Sequence, residues 1–568
     1  MLRPVEFSHR TRAANLRELA ARRFDVVVIG GGITGAGVAR DAALRGLSVA
    51  LLERRDFACG TSSRSSKLIH GGLRYLQQGD VGLVREAATE RYAVRKLAPH
   101  LARPVQMLFP IYSRASYAKM SAGLWTYDKL ASIPDVERHR MLSRDEALTL
   151  EPRLRADKLY AAGLYTEYLT DDARLVIEVI KAAAALGALP ANYCEAEDFL
   201  FDNARAVGVV ARDHVSGDAF EVRGRVLINA AGPWVDAVRL RGEPGDAPRL
   251  QLTKGVHLGV RTARIGLSRI VVMNARDKRG VFAIPRGAVT YLGTTDTFYD
   301  RVEDYPRVTL DDVHYLLDAA NRTFAVEPAL TAADVVNAWA GLRPLLAQAG
   351  KAPSELSRKD EVMVAPSGLV SVAGGKLTTF RRMAERVVDL AAEQLAAQGA
   401  AAPARRGASH AELLGSSGTG DDVPAFAASL RERWPLLAGD LIERLVTLYG
   451  SHAERIVDGI AADPLLGERF DPALPVTRAE VEYGVREEMA MTLEDFIERR
   501  SRLLLWDLQL GGSVAVGVAA TMGRLLGWDD TRVRDELARH RTLAEHLTTF
   551  VADDDTAPTP GVAQAADA

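Results

Sequence analysis

Apolar positions in this chain come in short unbroken runs, alternating runs and helical stripes, and their order divides it into parts. Phe24-Asp25-Val26-Val27-Val28-Ile29 is a β-branched run too short for a helix and apolar on both faces, which predicts a buried strand of a parallel sheet. It enters Gly30-Gly31-Gly32. Behind Ile33-Thr34-Gly35 an apolar stripe from Val38 to Leu44 predicts a helix stopping at Gly46. Leu47 to Leu52 is a second buried strand, ending on Glu53. Further on, 171–187 predicts a helix with an acidic start, 206–212 and 219–222 short strands, and 225–234 another buried strand ending in small residues. Alternating segments at 256–260, 270–273, 281–285 and 290–293 predict antiparallel strands. A strand over 335–345 runs into an arginine turn, and a strand over 369–373 enters Gly374-Gly375 with a long helix leaving it. Residues 397–419 read as an Ala/Gly/Ser/Pro-rich linker, and helical periodicity dominates from 423 to 552.

The fold class this predicts is α/β: a Rossmann-type domain interrupted by an antiparallel sheet and followed by an all-α domain without an obvious catalytic cluster. Gly30-x-Gly32-x-x-Gly35 between strand and helix is a dinucleotide fingerprint. Its glycines allow the tight turn and close backbone approach to a pyrophosphate, and the helix N-terminus offers unpaired N–H groups to the phosphates. Glu53, eighteen residues past Gly35, stands where a ribose-binding acid belongs, which favours FAD or NAD over NADP.

Composition narrows the partners. The 568 residues carry a net charge of −2, so nothing global points to nucleic acid. Cys59 and Cys194 are the only cysteines, which excludes a disulfide framework and a cysteine metal site and fits a reducing, cytoplasmic setting; no metal is expected. No uncharged apolar run reaches the roughly 18 residues of a spanning helix. Two stretches have the composition of interfacial helices: the basic N-terminal extension at 10–23, and 117–130, where Trp125 and Tyr127 sit among Lys119 and Lys129.

The stretch from Arg54 to Leu76 is too rich in Gly and Ser for a core, yet carries Thr61, Ser62, Ser63, Lys67, Leu68, His70, Arg74 and Tyr75 at the carboxyl edge of the sheet, where doubly wound folds bind ligands. Aligned in order, Gly30–Gly35 with Glu53, the loop from Thr61 to Leu76, Asp171-Asp172-Ala173-Arg174, Asn229 to Trp234, Gly293-Thr294-Thr295-Asp296, Gly341-Leu342-Arg343-Pro344, Ala373 to Thr379, Leu448-Tyr449-Gly450-Ser451 and Glu488-Met489-Ala490 to Arg499-Arg500 resemble the FAD-dependent, quinone-linked glycerol-3-phosphate dehydrogenases, within the D-amino-acid-oxidase-like flavoproteins. The resemblance covers nearly the whole chain.

It implies a discontinuous FAD-binding domain at 20–95, 166–255 and 335–400, an antiparallel-sheet substrate (cap) domain at 96–165 and 256–334 and a C-terminal helical domain at 420–552; the composition of 553–568 predicts a disordered tail. The resemblance implies oxidation of sn-glycerol 3-phosphate to dihydroxyacetone phosphate, with FAD bound non-covalently and electrons passed to a membrane quinone by an enzyme peripheral to the cytoplasmic face of the inner membrane. A membrane surface is then a partner, and association between copies of the chain stays open. Cofactor contacts are expected from Gly30, Gly31, Gly32, Gly35, Glu53, Thr61, Ser62, Ser63, Lys67, Leu68, His70, Gly232, Gly375, Lys376, Leu377 and Thr378, and substrate contacts from Arg74, Tyr75, Arg343, Arg358 and Lys376. Convergent Arg and Lys suit a phosphate dianion. His70 and His257 are the candidate bases, and Arg343 completes the expected catalytic set. An oxidase using O2 and a non-catalytic flavin-binding regulator are the alternatives.

Overall fold

The computed structural model describes residues 3–71, 81–130, 133–134, 137–348, 361–400 and 408–552. Among the described residues the first sheet has eight strands. Five of them run parallel in the order Val370–Ala373, Ala219–Asn229, Arg23–Ile29, Val49–Leu52 and Leu189–Ala191, the last at the edge. Val26, Val27 and Val28 are fully excluded from solvent. Such side chains contribute about 1.5–3 kcal/mol each on burial, which is why this run tolerates no polar alternation. Helices Ile33–Leu44, Asp172–Ala185 and Phe380–Ala397 share one core with this sheet. The strand pieces expected at 219–222 and 225–234 are one strand, followed by a 3-10 turn at Gly232–Trp234.

A largely antiparallel sheet, of ten strands among the described residues, forms the second layer. Leu250–Arg261 lies between Val289–Gly293 and Val335–Leu346, and the sheet continues through Gly280–Arg286 and Ile270–Asn274 to Ala102–Ile111 and Ala161–Thr170. Val335–Leu346, expected with the first sheet, belongs here because it pairs along nearly its whole length with Leu250–Arg261. The Gly/Ser-rich loop after Glu53 also departs from expectation. Lys67, Leu68 and Ile69 are buried, and Leu68–Ile69 pairs with the edge of the second sheet, so the loop is a seam between the layers.

One face of the second sheet is covered by helix Leu310–Thr323, whose Val313, Leu316 and Leu317 pack on Val256, Leu258, Ala338 and Ala340. On the other face Tyr291 and Trp339 join the C-terminal segments through Phe496, Leu504 and Leu505. The helical region is therefore docked on the body rather than separate, and Arg499, Arg500 and Arg502 are buried against it. Part of the expected linker is docked too: the carbonyl of Ser409 accepts from Arg40 at 3.1 Å, and Ser416 is fully buried. The basic N-terminal helix, His9–Ala21, packs inward through Arg12, Asn15 and Leu19, and Arg12 pairs with Asp213 at 2.6 Å. The tail at 553–568 lies outside the described residues.

Candidate active site

A cavity of about 280 Å3 opens at the carboxyl ends of the parallel strands, where ligands bind in doubly wound sheets. Gly30, Gly32, Ile33 and Thr34 form one wall, Glu53 and Arg54 the end of the second strand, and Thr61 and Ser62 the loop behind it. Gly232 to Trp234 and Gly374 to Leu377 close the remaining sides. The glycine turn is dictated by contact. Gly30 has φ +108°, and a Cβ on Gly35 would stand 1.8 Å from the carbonyl oxygen of Gly30. Any side chain there would force the helix off the strand.

These walls fit a dinucleotide. A glycine turn opening a helix meets phosphates, Glu53 supplies a ribose acceptor, and Trp234, Ala231 and Val238 give apolar area for rings. The Glu53 carboxylate is almost fully buried and accepts N–H groups from Gly31 at 2.7 Å and Arg55 at 3.0 Å. Burial pushes its pKa up while these two donors pull it down. Ser62 Oγ accepts the N–H of Ile33 at 3.0 Å, tying the loop to the helix start. The second glycine turn leads into a 3-10 turn, Leu377–Thr379, ahead of the long helix, and this turn carries Lys376 and Leu377 to the cavity.

Of the residues expected to hold the cofactor, Gly30, Gly32, Glu53, Thr61, Ser62, Gly232, Gly375, Lys376 and Leu377 line this cavity. Gly31 and Gly35 lie in the turn beneath it. Ser63, Lys67, Leu68 and Thr378 are buried behind it, with Thr378 donating to the carbonyl of His70 at 3.2 Å. His70 is half-buried at the end of the Leu68–Ile69 strand. Arg74, Tyr75 and Arg358 lie outside the described residues.

His257 and Arg343 are brought together by strand register. His257 pairs with Trp339, Gly255 with Gly341 and Thr253 with Arg343, so the two-residue period places all six on one face of the strand pair. Glycine clears the floor: a Cβ on Gly255 would meet the Arg343 guanidinium at 2.2 Å, and one on Gly293 would meet His257 at 2.1 Å. The loop from Thr61 to Ser66 lies across this face. Thr61 donates to the carbonyl of Leu342 at 2.6 Å, and Ser66 Oγ stands 2.8 Å from His257 Nε2. Arg343 is held by Asp296 at 3.1 Å and donates to Thr294 Oγ1 at 3.1 Å. Pro344, the next residue, forms part of the cavity wall.

His257 is 1% exposed and stacks on Trp339 with ring centroids 5.0 Å apart. Burial first, then the charges of Lys67 and Arg343, hold its pKa well below the usual histidine range, so the imidazole is neutral near pH 7. Lys67 is itself fully buried. Its ammonium sits 2.8 Å from both oxygens of Asp172, and burial lowers its pKa to about 8. Trp339 is not among the residues singled out from the sequence, and Ser66, Asp172 and Asp296 stand in motifs that carry the resemblance but have no role assigned there. The alternation of Trp339, Gly341 and Arg343 against Gly255 and His257 was a signal that could have found Trp339; the other three owe their places to register and loop crossing. Among the described residues no cluster of His, Cys, Asp and Glu is arranged to hold a metal ion.

Comparison with known proteins identifies the family. Residues 25–390 match the family described as FAD dependent oxidoreductase, DAO, and residues 408–533 match the C-terminal domain of alpha-glycerophosphate oxidase. The chain is 40% identical over 533 residues to the aerobic glycerol-3-phosphate dehydrogenase of Bacillus subtilis, covering 92% of this chain and 95% of that protein. It is 39% identical to the Staphylococcus haemolyticus protein of the same name, covering 91% and 93%. The crystal structure of the Bacillus halodurans glycerol-3-phosphate dehydrogenase complexed with FAD superposes with a TM-score of 0.80 at 35% identity, covering 96% of this chain and 99% of that one. The L-alpha-glycerophosphate oxidase of Mycoplasma pneumoniae, at 18% identity and TM-score 0.53, shares the fold over 65% of this chain and 95% of its own. The chain belongs to the DAO family of FAD-dependent oxidoreductases, in the branch of the aerobic glycerol-3-phosphate dehydrogenases.

Proposed function

We propose that this protein oxidises sn-glycerol 3-phosphate to dihydroxyacetone phosphate with FAD and passes the electrons to a membrane quinone. The observation that carries the reading is the shared face of the strand pair. It sets a forked cation, Arg343, beside a neutral buried imidazole, His257, next to the cavity wall that holds Lys376. FAD supplies the acceptor for the hydride leaving C2.

The chain's own residues supply the rest. Arg343 presents parallel N–H donors to phosphate oxygens, with Asp296 and Thr294 fixing the fork, and Lys376 adds a second positive charge. His257 takes the C2 hydroxyl proton as the C–H bond breaks, and its neutrality near pH 7 is what the role requires. Ser66 and Trp339 hold the ring in place. His70 is the second candidate base. Arg74, Tyr75 and Arg358 keep their place in the proposed substrate pocket through the resemblance alone.

Attachment to a membrane surface, which a membrane quinone as acceptor requires, draws support from the surface of the protein. Helix Arg114–Leu130 turns Trp125, 60% exposed, outward with Arg114, Lys119 and Lys129, a composition suited to an anionic lipid interface. No helix among the described residues is long and apolar enough to cross a membrane. The test is to oxidise glycerol 3-phosphate with purified protein in the presence of a soluble quinone, then of air alone. Quinone reduction with little peroxide supports the reading, and stoichiometric peroxide assigns the electrons to oxygen instead.

A further inference from the structure

The C-terminal region grips the loop that follows the second strand through a continuous series of charges. A π-helical turn, Asp495–Arg500, and its flanking residues supply one side. Glu494 pairs with Arg55 at 3.2 Å, Arg499 and Arg500 with Asp56 at 2.6 and 2.5 Å, and Glu498 with Arg64 at 3.6 Å. Arg502 reaches Asp171 at 3.0 Å and Asp172 at 3.3 Å. The side chains of Asp56, Arg500, Asp172 and Arg502 are fully excluded from solvent.

Asp172 is the hub. Besides Arg502 it holds the Lys67 ammonium and accepts from both the hydroxyl and the N–H of Ser65, at 2.7 and 3.1 Å. Lys67 and Arg502 both adopt left-handed backbone, φ +56° and +65°, though neither is glycine. Such conformations persist where surrounding contacts over-determine them, and π-turns are frequent at functional sites. Ser66, between Ser65 and Lys67, is the residue that meets His257.

We propose that this clasp is a positioning element of the redox site: Arg502, acting through Asp172, fixes Ser65 to Lys67 and thereby the contact of Ser66 with His257. The C-terminal helical region then completes the site rather than merely covering it. What the site does rests on the function proposed above; the clasp itself is independent of that reading.

Arg502→Met and Arg502→Lys in the full-length, FAD-loaded protein test it. In Arg502→Met, amide exchange across residues 61–70 should rise about tenfold while the strand Arg23–Ile29 keeps its protection. Its kcat for glycerol 3-phosphate should fall roughly tenfold with KM within about twofold and FAD content unchanged, and Arg502→Lys should recover part of both effects. Unchanged exchange over 61–70 would overturn the proposal. So would a loss of kcat that merely tracks loss of bound FAD. If glycerol 3-phosphate does not reduce the wild-type flavin, the functional reading fails, while the exchange measurement still decides the clasp.

Discussion

Ser66 Oγ stands 2.8 Å from Nε2 of His257, joining the loop of the first layer to the second sheet at the imidazole that stacks on Trp339. The other ring nitrogen, Nδ1, is buried and makes no hydrogen bond among the described residues. The orientation of the ring therefore depends on this hydroxyl, on the stack and on the edge contact with Tyr291. If His257 is the base, His257→Asn should lower kcat by roughly 10²–10⁴-fold with FAD still bound. Ser66→Ala should lose less, about tenfold, because the ring keeps Trp339 beneath it. Stopped-flow flavin reduction separates these outcomes. Equal rates for wild type and His257→Asn would move the role to His70.

Arg343 makes a different demand. Its guanidinium lies over Gly255 with Asp296 and Thr294 as partners, so removal leaves the strand pair intact. Arg343→Ala should cost about 3 kcal/mol in kcat/KM for glycerol 3-phosphate, roughly 10²-fold, because charged hydrogen bonds to phosphate are lost. Oxidation of glycerol, which has no phosphate, should be little changed. A variant equally impaired on both compounds would show that Arg343 supports the fold instead.

The pH dependence carries a sign. Burial, then Lys67, then Arg343 lower the pKa of His257, so its neutral, active form persists below pH 6.5 and the acid limb of kcat/KM lies there. Lys67→Gln removes one of these charges. The pKa of His257 should then rise part of the way toward 6.5, and the limb should move to higher pH. A limb that stays in place would remove His257, or the influence of Lys67 on it, from the scheme.

His100 allows a stability test away from the site. It is buried beside Arg174 and Glu178, and burial lowers its pKa to about 3. The unfolded chain protonates this histidine near pH 6.5 while the folded chain does not, so stability is lost as pH falls from 6.5 toward 3. At pH 5 the loss is about 2 kcal/mol. Chemical denaturation of wild type and His100→Gln at pH 7 and pH 5 should show wild type losing that much more than the variant on acidification.

The parallel core was readable in the sequence because its constraints are local. Val26 to Val28 must be apolar on both faces, and Gly30 and Gly35 touch across a single turn. The strand carrying Arg343 was recognisable as a strand, but the choice of sheet was not, since only pairing with Leu250–Arg261 decides it. The loop from Arg54 to Ile69 looked too polar for an interior. Its charges are buried because partners more than a hundred residues away neutralise them: Asp56 by Arg499 and Arg500, and Lys67 by an Asp172 that also binds Arg502. Pairings at that separation leave no local periodicity. For the same reason the helical region read as lacking chemistry, although its arginines reach the site's loop.

Anaerobic mixing of the FAD-loaded protein with sn-glycerol 3-phosphate, and separately with glycerol, tests cofactor, substrate and phosphate recognition together. The flavin absorbance should bleach rapidly and completely with glycerol 3-phosphate and at least about 10²-fold more slowly with glycerol at equal concentration. A flavin that neither compound bleaches, or that both bleach at the same rate, would contradict the assignment of Arg343 and Lys376 to phosphate and of His257 to the reacting alcohol.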